Sequence, residues 1–195
     1  VADEETDLML RVAGGDETAF EPLVLRVLPR LIGFFRRLGA DGATAEDCSQ
    51  DVLLKVYRAR RNYTPRARFV TYLFHIARNH WIDRYRHRRA GPGMVSAEAL
   101  RGPAGEDGPG VEFPAPAEDP DAGTRQAELM GALERAVGSL GDEHREVFVL
   151  ARVENLRYQE IGAILGIPVG TVKSRMHGAW KQIRESLLRE GIEPP

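Results

Sequence analysis

The sequence predicts an all-α protein: two small helical domains, a four-helix unit and a helix-turn-helix unit, joined by a flexible acidic linker rich in proline and glycine. Three observations predict it. Apolar residues recur at three- and four-residue intervals in both halves of the chain, without the sustained alternation of a strand. Between them, residues 91–123 carry the runs GPG, GPAGEDGPG and FPAPAEDPDAG and lose all periodicity. Charge is segregated by segment, which marks the same boundaries. The expected division is residues 1–89, a linker over 90–124, and residues 125–195.

The first domain reads as four helices. Phe20, Val24, Val27, Leu31, Phe35 and Leu38 form one apolar stripe that starts after Asp16, a candidate N-cap, and stops at Gly39. Pro22 suits a first turn, whereas Pro29 is expected to kink or interrupt this helix. Thr44 is expected to open the next helix, with Asp47 three residues on in the manner of a capping box. Val52, Leu53, Val56 and Tyr57 supply its inner face. After the polar turn from Arg61 to Pro65, a long helix from about Ala67 to Arg88 carries Phe69, Leu73, Ile76 and Ala77 inward.

In the linker, proline and glycine remove helix and sheet options, and sparse apolar content leaves too little burial to offset ordering entropy. The second domain begins with helices marked by Leu129, Leu133, Val137 and Leu140, and then by Val147, Phe148, Leu150 and Ala151. Tyr158 to Leu165 is a short helix, Gly166-Ile167-Pro168 a turn, and Val172, Met176, Ala179, Ile183 and Leu187 one stripe of a longer helix. That is the helix-turn-helix layout.

The net charge of −2 over 195 residues conceals opposite fields. Lys55 to Arg89 holds eleven Lys/Arg against Asp83 alone, a net +10, and Ala90 to Thr124 holds Arg101 against seven acids, a net −6. Pro168 to Arg189 is again basic, with five cations against Glu185. Two basic stretches flanking an acidic connector fit a chain that touches a polyanion twice. A single cysteine, Cys48, excludes an internal disulfide, and five scattered histidines give no zinc spacing, so neither metal nor cofactor is expected. No run approaches a membrane span, and the acidic first residues differ from a secretory signal, so a cytoplasmic protein is expected. No catalytic residue can be picked out: Ser/His/Asp, Cys/His and phosphate-loop patterns are all missing from the sequence.

The first residues of the second helix of a helix-turn-helix face the major groove, which makes Thr171, Lys173, Ser174, Arg175 and His177 the candidate duplex contacts. On the long helix, Arg66, Arg68 and Arg78 stand among Tyr72, Phe74, Trp81 and Tyr85, the mixture of cations and rings that single-stranded bases require. For any one of those rings, core packing is an equally open reading. Asn79 can read a base edge through its amide, or simply face solvent.

The motifs add a resemblance. Gly14-Gly15-Asp16-Glu17 with Ala19-Phe20, Ala45-Glu46-Asp47 with Gln50-Asp51, and Ala67 to Leu73 with Ile76-Ala77-Arg78-Asn79 and Ile82-Asp83 resemble region 2 of extracytoplasmic-function (ECF) sigma factors. Arg145-Glu146-Val147-Phe148, Tyr158-Gln159-Glu160-Ile161-Gly162 and Leu165 to Arg175 resemble region 4 of the same family. The resemblance implies a sigma factor that binds core RNA polymerase at the clamp helices of the largest subunit and at the flap. It further implies melting of the −10 element by region 2, reading of the −35 element by region 4, and control by an anti-sigma factor. Matched by position, Asp47, Gln50 and Asp51 would face polymerase. Arg66, Arg68, Tyr72, Arg78, Asn79 and Trp81 would face −10 DNA, and Thr171, Lys173, Ser174, Arg175 and His177 the −35 duplex.

The chain departs from the family pattern at Gly178 and Trp180, where a base is usual, and at Arg157, which replaces a usual Ser cap. A helical wheel places Gly178 outward, toward DNA, and Trp180 at the edge of the core. Three rivals remain: a polymerase-independent helix-turn-helix regulator, a decoy that only sequesters an anti-sigma factor, and an enzyme. The basic aromatic helix, the cations kept in both domains and the lack of a catalytic constellation speak against each in turn.

Overall fold

The computed structural model describes the backbone of residues 3–89 and 120–192 and the side chains of residues 3–84 and 128–192. Among these residues there are eight helices and no strand. The expected linker lies outside the described residues, apart from 120–124, which already form the first turns of a helix.

The first domain packs α1 (Glu4–Ala13), α2 (Phe20–Arg37), α3 (Gly42–Ala59) and α4 (Phe69–Arg89) around Met9, Leu23, Leu31, Phe34, Phe35, Phe69, Leu73 and Phe74, all fully buried. Helix starts are fixed by carboxylates: Asp3 accepts from the Thr6 N–H at 2.9 Å and Asp41 from the Thr44 N–H at 2.7 Å. Thr6 is buried, and its hydroxyl accepts the Phe69 N–H at 3.0 Å, which ties the start of α4 to α1. Asp16 caps a 3-10 turn, Glu17–Ala19, that leads into α2.

Two expectations are corrected. Helix α3 starts at Gly42 under an Asp41 cap, so Thr44 sits inside the first turn and Asp47 is an exposed mid-helix residue with no capping role. Asp41, three residues before Thr44, takes the cap because its carboxylate accepts the Thr44 N–H. Helix α2 also continues through Pro29. Pro29 and Leu25, whose carbonyl loses its donor, both lie on the solvent side, where water can replace the missing bond.

The second domain comprises α5 (Pro120–Ser139), α6 (Asp142–Phe148), α7 (Tyr158–Leu165) and α8 (Val169–Arg189). A π turn, Val149–Val153, extends α6 and delivers Glu154 to the interior. Asn155 reverses the chain in the left-handed region at φ 51°. Between α7 and α8 the turn is made by Gly166 at φ 67°, and the Ile167 N–H donates to the Gly162 carbonyl at 3.1 Å. A Cβ on Gly162 would lie 2.9 Å from the Ile167 carbonyl oxygen, so the close approach of turn to helix requires glycine there.

The two domains are docked. Helix α7 lies against α4, and one contiguous cluster of buried apolar side chains runs through both units.

Candidate polymerase and nucleic-acid interfaces

On α3, Asp47, Gln50 and Asp51 are exposed and share a face, being three and four residues apart. They are backed by α4: Arg84 Nη2 lies 3.9 Å from Asp47 and His80 Nε2 lies 3.5 Å from Asp51. Lys55 Nζ stands 3.0 Å from His80 Nδ1. An ammonium has no lone pair to offer, so Nδ1 accepts and the imidazole proton sits on Nε2, which is buried and makes no hydrogen bond. Burial, and then the Lys55 charge, hold the His80 pKa below the ordinary imidazole value.

The candidate strand-capture residues do not share one face of α4. Tyr72 and Asn79 are seven residues apart, hence aligned, with Asn79 exposed and Tyr72 half-buried against Tyr63 at 5.3 Å between ring centres. Arg66 is exposed in the turn before the helix. Trp81, two residues beyond Asn79, points to the opposite side, where its ring lies 5.9 Å from that of Phe35. Arg78 and Arg68 turn toward the second domain. Arg78 Nε lies 3.4 Å from Glu146, and Arg68 pairs with Asp3 at 3.0 Å and reaches Glu160 at 3.9 Å.

The same contact contains residues outside the candidate contact set. Thr71 donates to Glu160 at 2.9 Å. Arg30 of α2 bridges Glu5 at 2.8 Å and Glu154 at 2.9 Å, and the Glu154 side chain is only 2% exposed. Burial pushes the carboxyls of Glu146 and Glu154 above the ordinary range, in spite of Arg78 and Arg30 beside them. Glu160 also accepts the Arg157 N–H at 2.8 Å, which starts α7 where a serine cap is missing. The basic-aromatic reading of α4 drew attention to Arg78, while its partner Glu146 is 68 residues away in sequence; Arg30 of α2 and Glu154, 124 residues apart, likewise share no local signal.

On α8, Ser174 and His177 are exposed, while Thr171, Lys173 and Arg175 are half-buried. Ser174 Oγ donates to the Thr171 carbonyl at 3.0 Å, and Arg175 pairs with Glu143 at 2.8 Å. Glu143 is 71% exposed, so this pair contributes about 0–1 kcal/mol and can yield to a phosphate. The outward placement of Gly178 is corrected: His144 of α6 lies so close that a Cβ there would meet its Nε2 at 2.6 Å. The wheel located only the apolar stripe of α8, whereas α6 also covers the polar flank of Arg175, Gly178 and Gln182 through Glu143 and His144. Trp180 is half-buried as expected, edge-on to Phe148 at 5.4 Å and under the Arg152 guanidinium at 5.3 Å.

A family model for sigma-70 region 2 matches residues 23–91, and one for sigma-70 region 4 matches residues 130–183. Sigma factor CarQ of Myxococcus xanthus is 37% identical over 92% of this chain and 95% of its own length. ECF sigma factor SigE of Mycolicibacterium smegmatis is 34% identical over 98% of this chain and 72% of its own length. The chain belongs to the ECF sigma factors. Its two domains are therefore sigma regions 2 and 4, and the helix-turn-helix of α7 and α8 is a DNA-binding region 4. Sigma factors are transcription initiation factors, not enzymes. The fold agrees with that of CnrH, solved with the cytosolic domain of CnrY, at a TM-score of 0.66 and 23% identity over 96% of this chain and 99% of CnrH. It also agrees with that of RpoE, solved with the anti-sigma factor NepR from Bartonella quintana, at a TM-score of 0.62 and 25% identity over 87% of this chain and 96% of RpoE. Among the described residues, no helix is long and apolar enough to cross a membrane.

Proposed function

We propose that this sigma factor acts in the cytoplasm as the dissociable specificity subunit of RNA polymerase, with residues 1–89 and 125–195 as its working units. The exposed α3 stripe of Asp47, Gln50 and Asp51 engages basic side chains of the polymerase clamp helices, and region 4 engages the flap. Helix α8 enters the −35 major groove with Ser174, His177 and Lys173, flanked by Thr171 and Arg175. The aligned Tyr72 and Asn79 edge, with Arg66 beside it and Arg68 and Arg78 once released, holds an extruded base and the backbone of the −10 non-template strand. Trp81 supports that helix from its other side. Binding energy opens the DNA, since unstacking a base costs a few kcal/mol and stacking with hydrogen bonding offsets it. An anti-sigma factor holds the protein inactive, as the RpoE complex with NepR illustrates for a relative.

The observation that carries this reading is the coexistence, in one chain, of an exposed acidic α3 stripe and two separate basic helices. Run-off transcription with core polymerase tests it. Promoter-dependent transcripts are expected only when the chain is added, and their absence with an active core enzyme refutes it. Asn79→Ala and Tyr72→Ala are expected to lower permanganate reactivity of −10 thymines about tenfold at unchanged core affinity, in line with roughly 1–3 kcal/mol per stacked base.

A further inference from the structure

We propose, resting on the assignment of Asp47, Gln50 and Asp51 to the polymerase, that His80 is a positioning residue for polymerase binding: its neutral imidazole draws Lys55 away from Asp51, and its protonation weakens the acidic face of α3. His80 stands on α4 behind that face, with its side chain 12% exposed. Its ring meets α3 through both nitrogens. Lys55 Nζ donates to Nδ1 at 3.0 Å, and Nε2 lies 3.5 Å from the Asp51 carboxylate. From α2 it meets the Phe35 ring, edge-on at 6.4 Å between centres. The charges around it are Asp51 and Lys55 of α3 and Asp83 and Arg84 of α4.

Two features of this arrangement point beyond packing. Lys55 follows Asp51 by four residues, the order in which an acid and a lysine pair across one helical turn. Lys55 donates to His80 instead, so Asp51, 53% exposed, keeps its charge for a partner. The second feature is the Nε2–H, which is buried without a hydrogen bond and therefore costs stability in the neutral state. An imidazolium donates from both nitrogens, and the carboxylate 3.5 Å from Nε2 is an acceptor within reach of the charged form.

Protonation turns Nδ1 from an acceptor into a donor, so it releases the Lys55 ammonium, which like charge then repels. Lys55 is left with Asp51 one turn back as its partner, while the imidazolium faces the same carboxylate from behind. The face gains a positive charge and Asp51 is engaged within the chain, and both changes oppose a basic partner. The linkage is reciprocal: a polymerase that engages Asp51 disfavours uptake of the proton. Burial and then the Lys55 charge lower the His80 pKa, so at neutral pH the imidazole is uncharged and the face is in its binding form. Affinity is lost as pH falls through the lowered value.

The test measures the Kd of the fluorescently labelled full-length chain for core RNA polymerase between pH about 7.5 and about 5, a range in which the carboxylates stay ionised and imidazoles titrate. Each chain is compared with itself across that range. The wild type is expected to bind about fivefold more weakly at the acid end, the worth of one exposed ion pair. In His80→Gln the amide oxygen still accepts from Lys55 but takes up no proton, and most of that loss is expected to disappear. Titration of the polymerase itself is common to both chains. Lys55→Met is an exposed change that keeps His80 and removes a charge that lowers its pKa, so the midpoint of the loss is expected at higher pH than in the wild type. This variant carries the test if circular dichroism shows His80→Gln to be unfolded. Asp51→Asn at pH about 7.5 separates the two readings. No loss of affinity there overturns α3 as the polymerase surface, and the role of His80 with it. A loss there, combined with equal pH dependence in wild type and His80→Gln or with an unmoved midpoint in Lys55→Met, overturns the role of His80 alone.

Discussion

Helices α4 and α8 carry the candidate nucleic-acid contacts, and they are held in opposite conditions. On α4 the cations that face region 4 are engaged: Arg78 with Glu146, and Arg68, just before the helix, with Asp3 and Glu160. On α8, Ser174 and His177 are open to solvent and Arg175 forms its ion pair with an exposed glutamate. A duplex can therefore meet α8 in the docked arrangement, whereas full use of α4 requires region 4 to move. The two proposed reading surfaces differ less in composition than in what covers them.

The largest expected effect breaks the closed side of this comparison. Arg30→Ala leaves the Glu154 carboxylate, 2% exposed, without its partner, and an unpaired buried charge costs about 3–5 kcal/mol. Undocking relieves that cost, so calorimetry is expected to show two transitions in place of one, with each domain still folded. A single transition at the wild-type temperature would mean that Arg30 contributes nothing to docking.

On the open side, Arg175→Ala removes one cation whose direct ion-pair partner, Glu143, is exposed, and it also withdraws a charge that favours the ionised form of buried Glu146. Affinity for −35 duplexes is expected to fall by about 1–3 kcal/mol if Arg175 reaches a base edge. The log–log salt slope drops by about one if it reaches a phosphate instead. No change in either quantity in a salt titration would place Arg175 away from the DNA.

Acid is expected to act in opposite directions on the two flanks of α4. His80, facing Lys55, Asp51, Arg84 and Asp83, has its pKa lowered by burial and by Lys55, so below pH about 6.5 the unfolded state takes up a proton that the folded state refuses. Region 2 then loses stability as pH falls. Glu146 and Glu154 have raised pKa values when docked, so docking takes up protons and strengthens as pH falls toward the carboxylate range. Melting of wild type and His80→Gln between pH 7 and 5 separates the two: the variant is expected to lose less stability on acidification than the wild type.

The helix-turn-helix was legible in the sequence because its punctuation is local: Gly166 supplies the left-handed turn and Pro168 precedes α8. The α3 residues Asp47, Gln50 and Asp51 were picked out by their match to the region 2 motif, and helical spacing puts the three on one face. The docking of the domains was not legible, since a glutamate after a π turn and an arginine 124 residues earlier have no pattern in common. The grouping of Trp81 with Asn79 illustrates a different limit. Composition placed both on the capture surface, yet a separation of two residues puts them on opposite sides of α4.

The smallest effect concerns Gly178, where a fault of the wheel becomes a measurement. Glycine inside α8 costs about 1 kcal/mol of helix propensity relative to alanine. The structure shows what occupies the missing side chain's place: His144, half-buried and bonded through Nδ1 to Gln182 at 3.3 Å. Gly178→Ala brings a Cβ to 2.6 Å from the imidazole, which must swing out and surrender that bond. The two effects nearly cancel, and the single variant is expected within about 0.5 kcal/mol of wild type. In a His144→Ala background the obstruction is gone, and the same Gly178→Ala change is expected to stabilise region 4 by up to about 1 kcal/mol. The cycle thus yields a coupling energy between two residues on α6 and α8. Additivity, with Gly178→Ala worth the same in both backgrounds, would show that α6 does not cover this flank and would return Gly178 to the open face of α8.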